Sequence, residues 1–140
     1  PMARLCGSFT LGSGILYSVT SPVTGLRRPI KHLVAGMCET DYSGYPDCRN
    51  DTIKAVETAL SRGMDRSMTI HTPLMWVDKA GTFAMAKAIG GRALLDLVIE
   101  ATHSCYLGDR AHRHPWGYGC GTCPACQLRA AGFAKFKEGR

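Results

Sequence analysis

A parallel α/β sheet followed by a four-cysteine metal segment is the fold class that this sequence predicts. Two observations lead to it. Between residues 31 and 89 the chain twice runs from a short apolar stretch through a polar loop into an amphipathic helix, the rhythm of parallel strands joined by crossover helices. In the last third, Cys120-Gly121-Thr122-Cys123-Pro124-Ala125-Cys126 forms a Cys-x-x-Cys-x-x-Cys cluster, and Cys105 lies a short loop upstream. Four thiolates at this spacing can close a tetrahedron around one zinc ion.

Residues 1–29 are rich in Gly, Ser, Thr and Pro and show no sustained period; 15–19 reads as a short strand and Gly12-Ser13-Gly14 as a loop. His32-Leu33-Val34-Ala35-Gly36-Met37 suits a buried strand. The polar stretch that follows, with Gly44 and Pro46, reads as a loop at the strand's C-terminal end. Asn50 or Asp51 is placed to cap a helix. Ile53, Val56 and Leu60 share one face of it, and Gly63 is expected to end it in the left-handed conformation. Residues 67–71 read as a second strand, broken by Thr72-Pro73-Leu74. Asp78 caps a helix over 79–89, and Gly90-Gly91 separates it from another over 92–101. That second helix carries Leu94, Leu95, Val98 and Ile99 on its apolar side. A last short helix is expected over 128–136. Ligands of parallel sheets bind beyond the C-terminal ends of the strands, which singles out the loops 38–49 and 71–79.

The 140 residues fit one domain, with 45% hydrophobic and 20% charged residues. No apolar run is long enough to span a membrane. Residues 1–16 do not read as a signal peptide, because Ser8, Thr10 and Ser13 interrupt the apolar stretch. The net charge of +6 favours anionic partners such as nucleotides, phosphates or RNA, although the cations are dispersed and form no single stripe. Seven cysteines, an odd number, argue against a disulfide framework and for a reducing compartment with a metal site.

In the cysteine segment a tetrathiolate site would leave no position open for water, so the zinc would be structural. Free thiols, a redox pair or an iron–sulfur cluster are the alternatives, and His103 and His114 are alternative ligands. In the loop 38–49, Glu39, Asp41, Asp47, Tyr42, Tyr45 and Arg49 crowd together. A carboxylate there can grip the N–H edge of a guanine-like base, a tyrosine can stack on a flat ring, and Arg49 can hold a carboxylate or phosphate through two prongs. A capped polar loop is the plainer reading. Lys79, beside Asp78 at a helix N-terminus, can assist a phosphate; taken alone, a surface lysine is the plainer reading.

Four segments together carry a resemblance: Gly-x-Cys-Glu-Thr-Asp-Tyr-Ser-Gly-Tyr-Pro-Asp-Cys-Arg at 36–49, His-Thr-Pro-Leu-Met-Trp at 71–76, Thr-His-x-Cys-Tyr-Leu-Gly-Asp-Arg at 102–110, and Trp-Gly-Tyr-Gly-Cys-Gly-x-Cys-Pro-Ala-Cys-x-Leu-Arg at 116–129. Over about 30–136 the chain resembles the C-terminal part of the 7-cyano-7-deazaguanine synthase family. The resemblance implies an adenine-nucleotide α-hydrolase-like (Rossmann-like) sheet and a cytoplasmic ligase of the pyrophosphatase-loop type. It implies ATP with Mg2+, 7-carboxy-7-deazaguanine and ammonia as partners, with neither a membrane nor direct nucleic-acid contact. Adenylation and ammonia would give an amide, and a second activation the nitrile, a precursor of queuosine and archaeosine. The zinc ligands map onto Cys105, Cys120, Cys123 and Cys126. Glu39, Asp41, Tyr45, Asp47 and Arg49 map onto the signature loop, where they are expected to face the deazaguanine.

The sequence also departs from the family. It contains no Ser-Gly-Gly-x-Asp-Ser loop for the ATP phosphates, and Leu11-Gly12-Ser13-Gly14-Ile15 has neither the order nor the aspartate. Residues 1–29 are therefore expected to stand outside the family, as a shifted or truncated gene start, with 30–140 as the family part and 102–129 as its zinc segment. The expectation is a chain that binds zinc but turns over poorly alone, unless a missing N-terminal half or a homo-oligomer completes it. A zinc-stabilised RNA- or protein-binding module is the alternative reading; no catalytic residue is assigned.

Overall fold

The computed structural model describes residues 31–40 and 45–139. The strand expected at 15–19, the rest of the segment 1–29 and Asp41 lie outside the described residues. The chain is a mixed α/β structure that divides into two compact units, Pro1–Met75 and Trp76–Arg140.

In the first unit, β1 (His32–Val34) and β2 (Thr69–His71) form a short parallel pair in which Leu33 faces Ile70 and Val34 faces His71. Bonds from Thr69 N–H to the Lys31 carbonyl (2.8 Å) and from Ala35 N–H to the His71 carbonyl (2.9 Å) extend the ladder at both ends. Both strands are shorter than their apolar runs. On the side of β2 away from β1, the Glu57 carboxylate accepts the Ile70 N–H. That bond holds the Glu57 carboxyl below its ordinary pKa.

Helix α1 (Asn50–Gly63) packs Ile53 and Leu60 with Met37, Met68, Ile70 and Met75 into the core of this unit. Its start differs from the expected cap. Arg49 holds the N-cap position and makes no side-chain capping bond. The Asn50 N–H is instead served by Glu39 Oε2 at 2.9 Å, from eleven residues upstream. Its end differs too: Gly63 is helical, and the left-handed residue is Asp65, at φ 46°. Ser61 Oγ, bonded to both the N–H and the carbonyl of Met68, anchors the return to β2.

The second unit is built on α2 (Lys79–Ala101), capped as expected by the Asp78 carboxylate on the Gly81 N–H at 2.8 Å. The two helices expected on either side of Gly90-Gly91 are its two limbs. Gly91 sits at φ 61° and ψ −153°, a backbone that side-chain-bearing residues avoid, and there the helix turns. Phe83, Leu95 and Ile99, from both limbs, pack against Phe133 and Phe136 of α3 (Pro124–Lys137). Helix α3 begins earlier than expected because Pro124 takes the first helical position, where a missing N–H costs nothing. Between α2 and α3 lies an antiparallel pair, β3 (Arg113–His114) with β4 (Gly117–Tyr118), too short to show as a sequence period. No helix among the described residues is long and apolar enough to cross a membrane.

Gly132 is where α3 meets the start of α2: a Cβ there would lie 2.3 Å from Lys79 Cβ and 3.1 Å from the Lys79 carbonyl carbon. The backbone cannot yield as a side chain would, so the clash outweighs alanine's better helix propensity. Gly132→Ala should lower stability by about 1–2 kcal/mol, read from the urea midpoint of metal-loaded protein. A raised midpoint would mean that the helices are not in this close contact.

Candidate metal centre and ligand loop

The second unit brings four sulfurs together. The Sγ atoms of Cys105, Cys120, Cys123 and Cys126 all lie within 4.8 Å of one another, and Cys120 and Cys126 are 4.0 Å apart. A tetrahedron of metal–sulfur bonds of about 2.3 Å has edges of about 3.8 Å, so the spacing fits a single ion. None of these cysteines is in a disulfide. Each arrives from a different local structure. Cys105 follows the end of α2, Cys120 follows β4, Cys123 is the N-cap of α3, and Cys126 lies in its first turn. The three clustered cysteines do not share one turn, because Pro124 starts the helix between the second and the third.

Polar hydrogens aim at the sulfurs. Cys105 Sγ accepts from the Cys120 N–H at 3.4 Å, and Cys120 Sγ accepts from the Cys123 N–H at 3.3 Å and from Thr122 Oγ1 at 3.5 Å. The Thr122 hydroxyl and backbone N–H donors pull the Cys120 thiol down to about 6, and the Cys120 N–H pulls Cys105 down. Burial drives the Cys126 thiol the other way, up to about 12. Cys126 has no exposed surface and packs with Cys105 and Trp116. This donor set can hold a metal ion and would leave it no open position. The two histidines considered as ligands are engaged elsewhere. His103 Nε2 is 2.8 Å from the Asp109 carbonyl, His114 Nε2 is 2.8 Å from the Gly119 carbonyl, and the His114 ring stacks on Trp116.

Arg129 received no role from the sequence reading. It lies three residues after Cys126 on α3, hence on the same face, and is only 5% exposed. Its guanidinium donates to the Trp116 carbonyl (2.9 Å), Ser104 Oγ (3.1 Å), the Val98 carbonyl (3.0 Å) and Thr102 Oγ1 (2.9 Å). It therefore caps the end of α2 and pins the loop that carries Cys105. Nothing local in the sequence marks it, because arginine is ordinarily a surface residue.

The loop 38–49 lies in the first unit. Its start is tied to the loop after β2 by the Glu39 N–H on the Met75 carbonyl, at 3.0 Å. Since β1 and β2 run parallel, both loops leave the same end of the pair, as the sequence predicts. Tyr45 leads into a 3-10 turn, Pro46–Cys48, which Thr52 Oγ1 closes by donating to the Pro46 carbonyl at 2.7 Å. Tyr45 and Asp47 are half-buried and Arg49 is exposed. Among the described residues, Asp47 and Arg49 form no ion pair. Glu39, expected to face a ligand, has one carboxylate oxygen on the helix N–H already described. Lys79 belongs to the second unit, and the anion seat at its helix N-terminus is taken by Asp78, which Lys135 also holds at 2.6 Å.

The family model for the queuosine biosynthesis protein QueC matches residues 15–137. The chain belongs to the QueC family. The match enters the segment 1–29, which the sequence reading kept apart because it lacks the Ser-Gly-Gly-x-Asp-Ser motif. Proteins named 7-cyano-7-deazaguanine synthase from Azorhizobium caulinodans and Methylorubrum extorquens are 58% and 57% identical over 97% of this chain and 56% of their own length. That from Zymomonas mobilis is 52% identical over 95% of this chain and 52% of its own. The chain thus spans about half the length of these curated relatives.

Replacing Cys126 by serine should lower metal affinity by about 100-fold or more, measured by competition with a chelating dye. The same change should leave α3 open to proteolysis. Unchanged affinity would mean that the buried sulfur is not a ligand.

Proposed function

We propose that this QueC-family chain is the substrate-recognising part of a 7-cyano-7-deazaguanine synthase. The observation that carries the reading is the tie between the two signature loops at one end of the parallel strands, in a chain 58% identical to a protein of that name. The reaction the family resemblance implies is ATP- and ammonia-dependent conversion of 7-carboxy-7-deazaguanine to 7-cyano-7-deazaguanine, on a Rossmann-like, adenine-nucleotide α-hydrolase-like sheet. Glu39, Asp47 and Asp41 supply carboxylates for the N–H edge of the deazaguanine, Tyr45 a face for its ring, and Arg49 a fork for its carboxylate. Lys79 is the remaining phosphate candidate. ATP with Mg2+ belongs to the family's Ser-Gly-Gly-x-Asp-Ser loop, a motif that this sequence does not contain.

The metal is zinc. A closed set of four thiolates suits it, and a site without an open position supplies folding energy and no chemistry. The cluster needs its thiols reduced, which a cytoplasmic location provides.

Glu39→Gln isolates the recognition role, because the glutamine oxygen still accepts the Asn50 N–H while the charge is gone. In titration with 7-carboxy-7-deazaguanine it should bind about tenfold more weakly, with the melting temperature lowered by no more than about 5 °C. Equal affinity would remove Glu39 from the site. Incubation of the zinc-loaded chain with ATP, ammonium and the acid, read by mass spectrometry, tests the reaction itself. Salt-dependent RNA binding without any small-molecule binding would contradict the proposal.

A further inference from the structure

The second unit contains a cavity of about 160 Å³ at the point where the two limbs of α2 and the helix α3 converge. Lys79 and Thr82 line it from the start of α2, Thr102 from its end, Ser104 from the next loop and Arg129 from α3. The lining holds two cationic side chains and three hydroxyls, and no carboxylate.

Arg129 is the unusual member. Its pKa is pulled below the ordinary arginine value by burial, against which the nearby Cys126 sulfur acts. All four of its hydrogen-bond partners are neutral oxygens. A guanidinium has five N–H donors, and these bonds use four, leaving one on Nη1. Ser104 Oγ accepts from that same Nη1, so its own hydroxyl hydrogen remains to be donated. The negative group acting on the guanidinium is the Cys126 sulfur on the same helix face. Here, among the described residues, no carboxylate bonds to the guanidinium.

We infer that this cavity is a subsite for a phosphoryl oxyanion, held by Arg129, Ser104 and Lys79. The donors come from three separate elements, the start of α2, the loop after it and α3. That arrangement suits the divergent oxygens of a tetrahedral anion better than the two coplanar oxygens of a carboxylate. The volume is enough for one phosphoryl group with room to extend toward solvent. The inference stands apart from the recognition loop of the first unit and does not rest on the synthase activity.

The test is titration of the zinc-loaded chain with inorganic phosphate, pyrophosphate and AMP at low ionic strength. Acetate serves as the control, and backbone amide shifts report the location. Phosphate should saturate and move the amides of Ser104 and Thr82, while acetate at equal concentration should not. Lys79→Met should weaken phosphate binding by about tenfold or more, and its amide spectrum shows that the fold is kept. Ser104→Ala provides a second variant, expected to weaken binding severalfold, that leaves both cations in place. Tighter AMP than phosphate would assign the oxyanion to a nucleotide, and equal or tighter phosphate or pyrophosphate to the free ion; either supports the site. No saturation, equal effects of acetate, or an unchanged affinity in folded Lys79→Met would overturn it. Failure here leaves the deazaguanine titration of the loop 38–49 unaffected, so the two proposals fall separately.

Discussion

The convergence of four sulfurs within 4.8 Å is the constraint on which the second unit depends. They come from the exit of α2, the end of a two-residue strand and the start of α3, elements that share little regular hydrogen bonding. Their environments pull in opposite directions: N–H and hydroxyl donors favour the thiolate at Cys120, while burial favours the thiol at Cys126. Without a cation the cluster would hold a thiolate at Cys120 beside a neutral thiol at Cys126, and full ionisation of all four would set like charges against one another. A bound divalent ion would let all four ionise, and its binding energy would become folding energy for a segment with little regular structure of its own.

Arg129 extends that constraint to the rest of the unit. It shares the first turns of α3 with Cys126, so whatever fixes one positions the other. Through Val98 and Thr102 it reaches the last turn of α2, and through Trp116 it reaches the corner between β3 and β4. The kink at Gly91 then lets both limbs of α2 lean on the same aromatic cluster of α3. Sulfur cluster, arginine and kink act as one mechanical unit, and the cavity beside Arg129 is a product of that arrangement. In the first unit Glu39 plays a comparable part, tying the signature loop to the start of α1.

Much of this was legible in the sequence, for identifiable reasons. The apolar face of Ile53 and Leu60, the Asp78 cap and the cysteine spacing are local signals, and each appears as read. The sulfur cluster was legible because metal-ligand geometry restricts spacing strongly. The cap of α1 was not, because Glu39 reaches it across a loop, and tertiary contacts of that kind leave no periodicity. Gly63 misled because the reversal falls two residues later, at Asp65, where a short polar side chain tolerates the left-handed region. Arg129 was invisible as a core residue because composition assigns arginine to the surface. The β3–β4 pair, two residues a side, lies below any pattern's resolution.

The most direct test of the metal-centred account is X-ray absorption at the zinc edge of the purified, metal-loaded chain. The account predicts four sulfur neighbours at about 2.3 Å and no nitrogen or oxygen shell. A shell containing one or more nitrogens at about 2.0 Å, or fewer than four sulfurs, would contradict it, because a histidine or water would then hold a place that the structure gives to a cysteine.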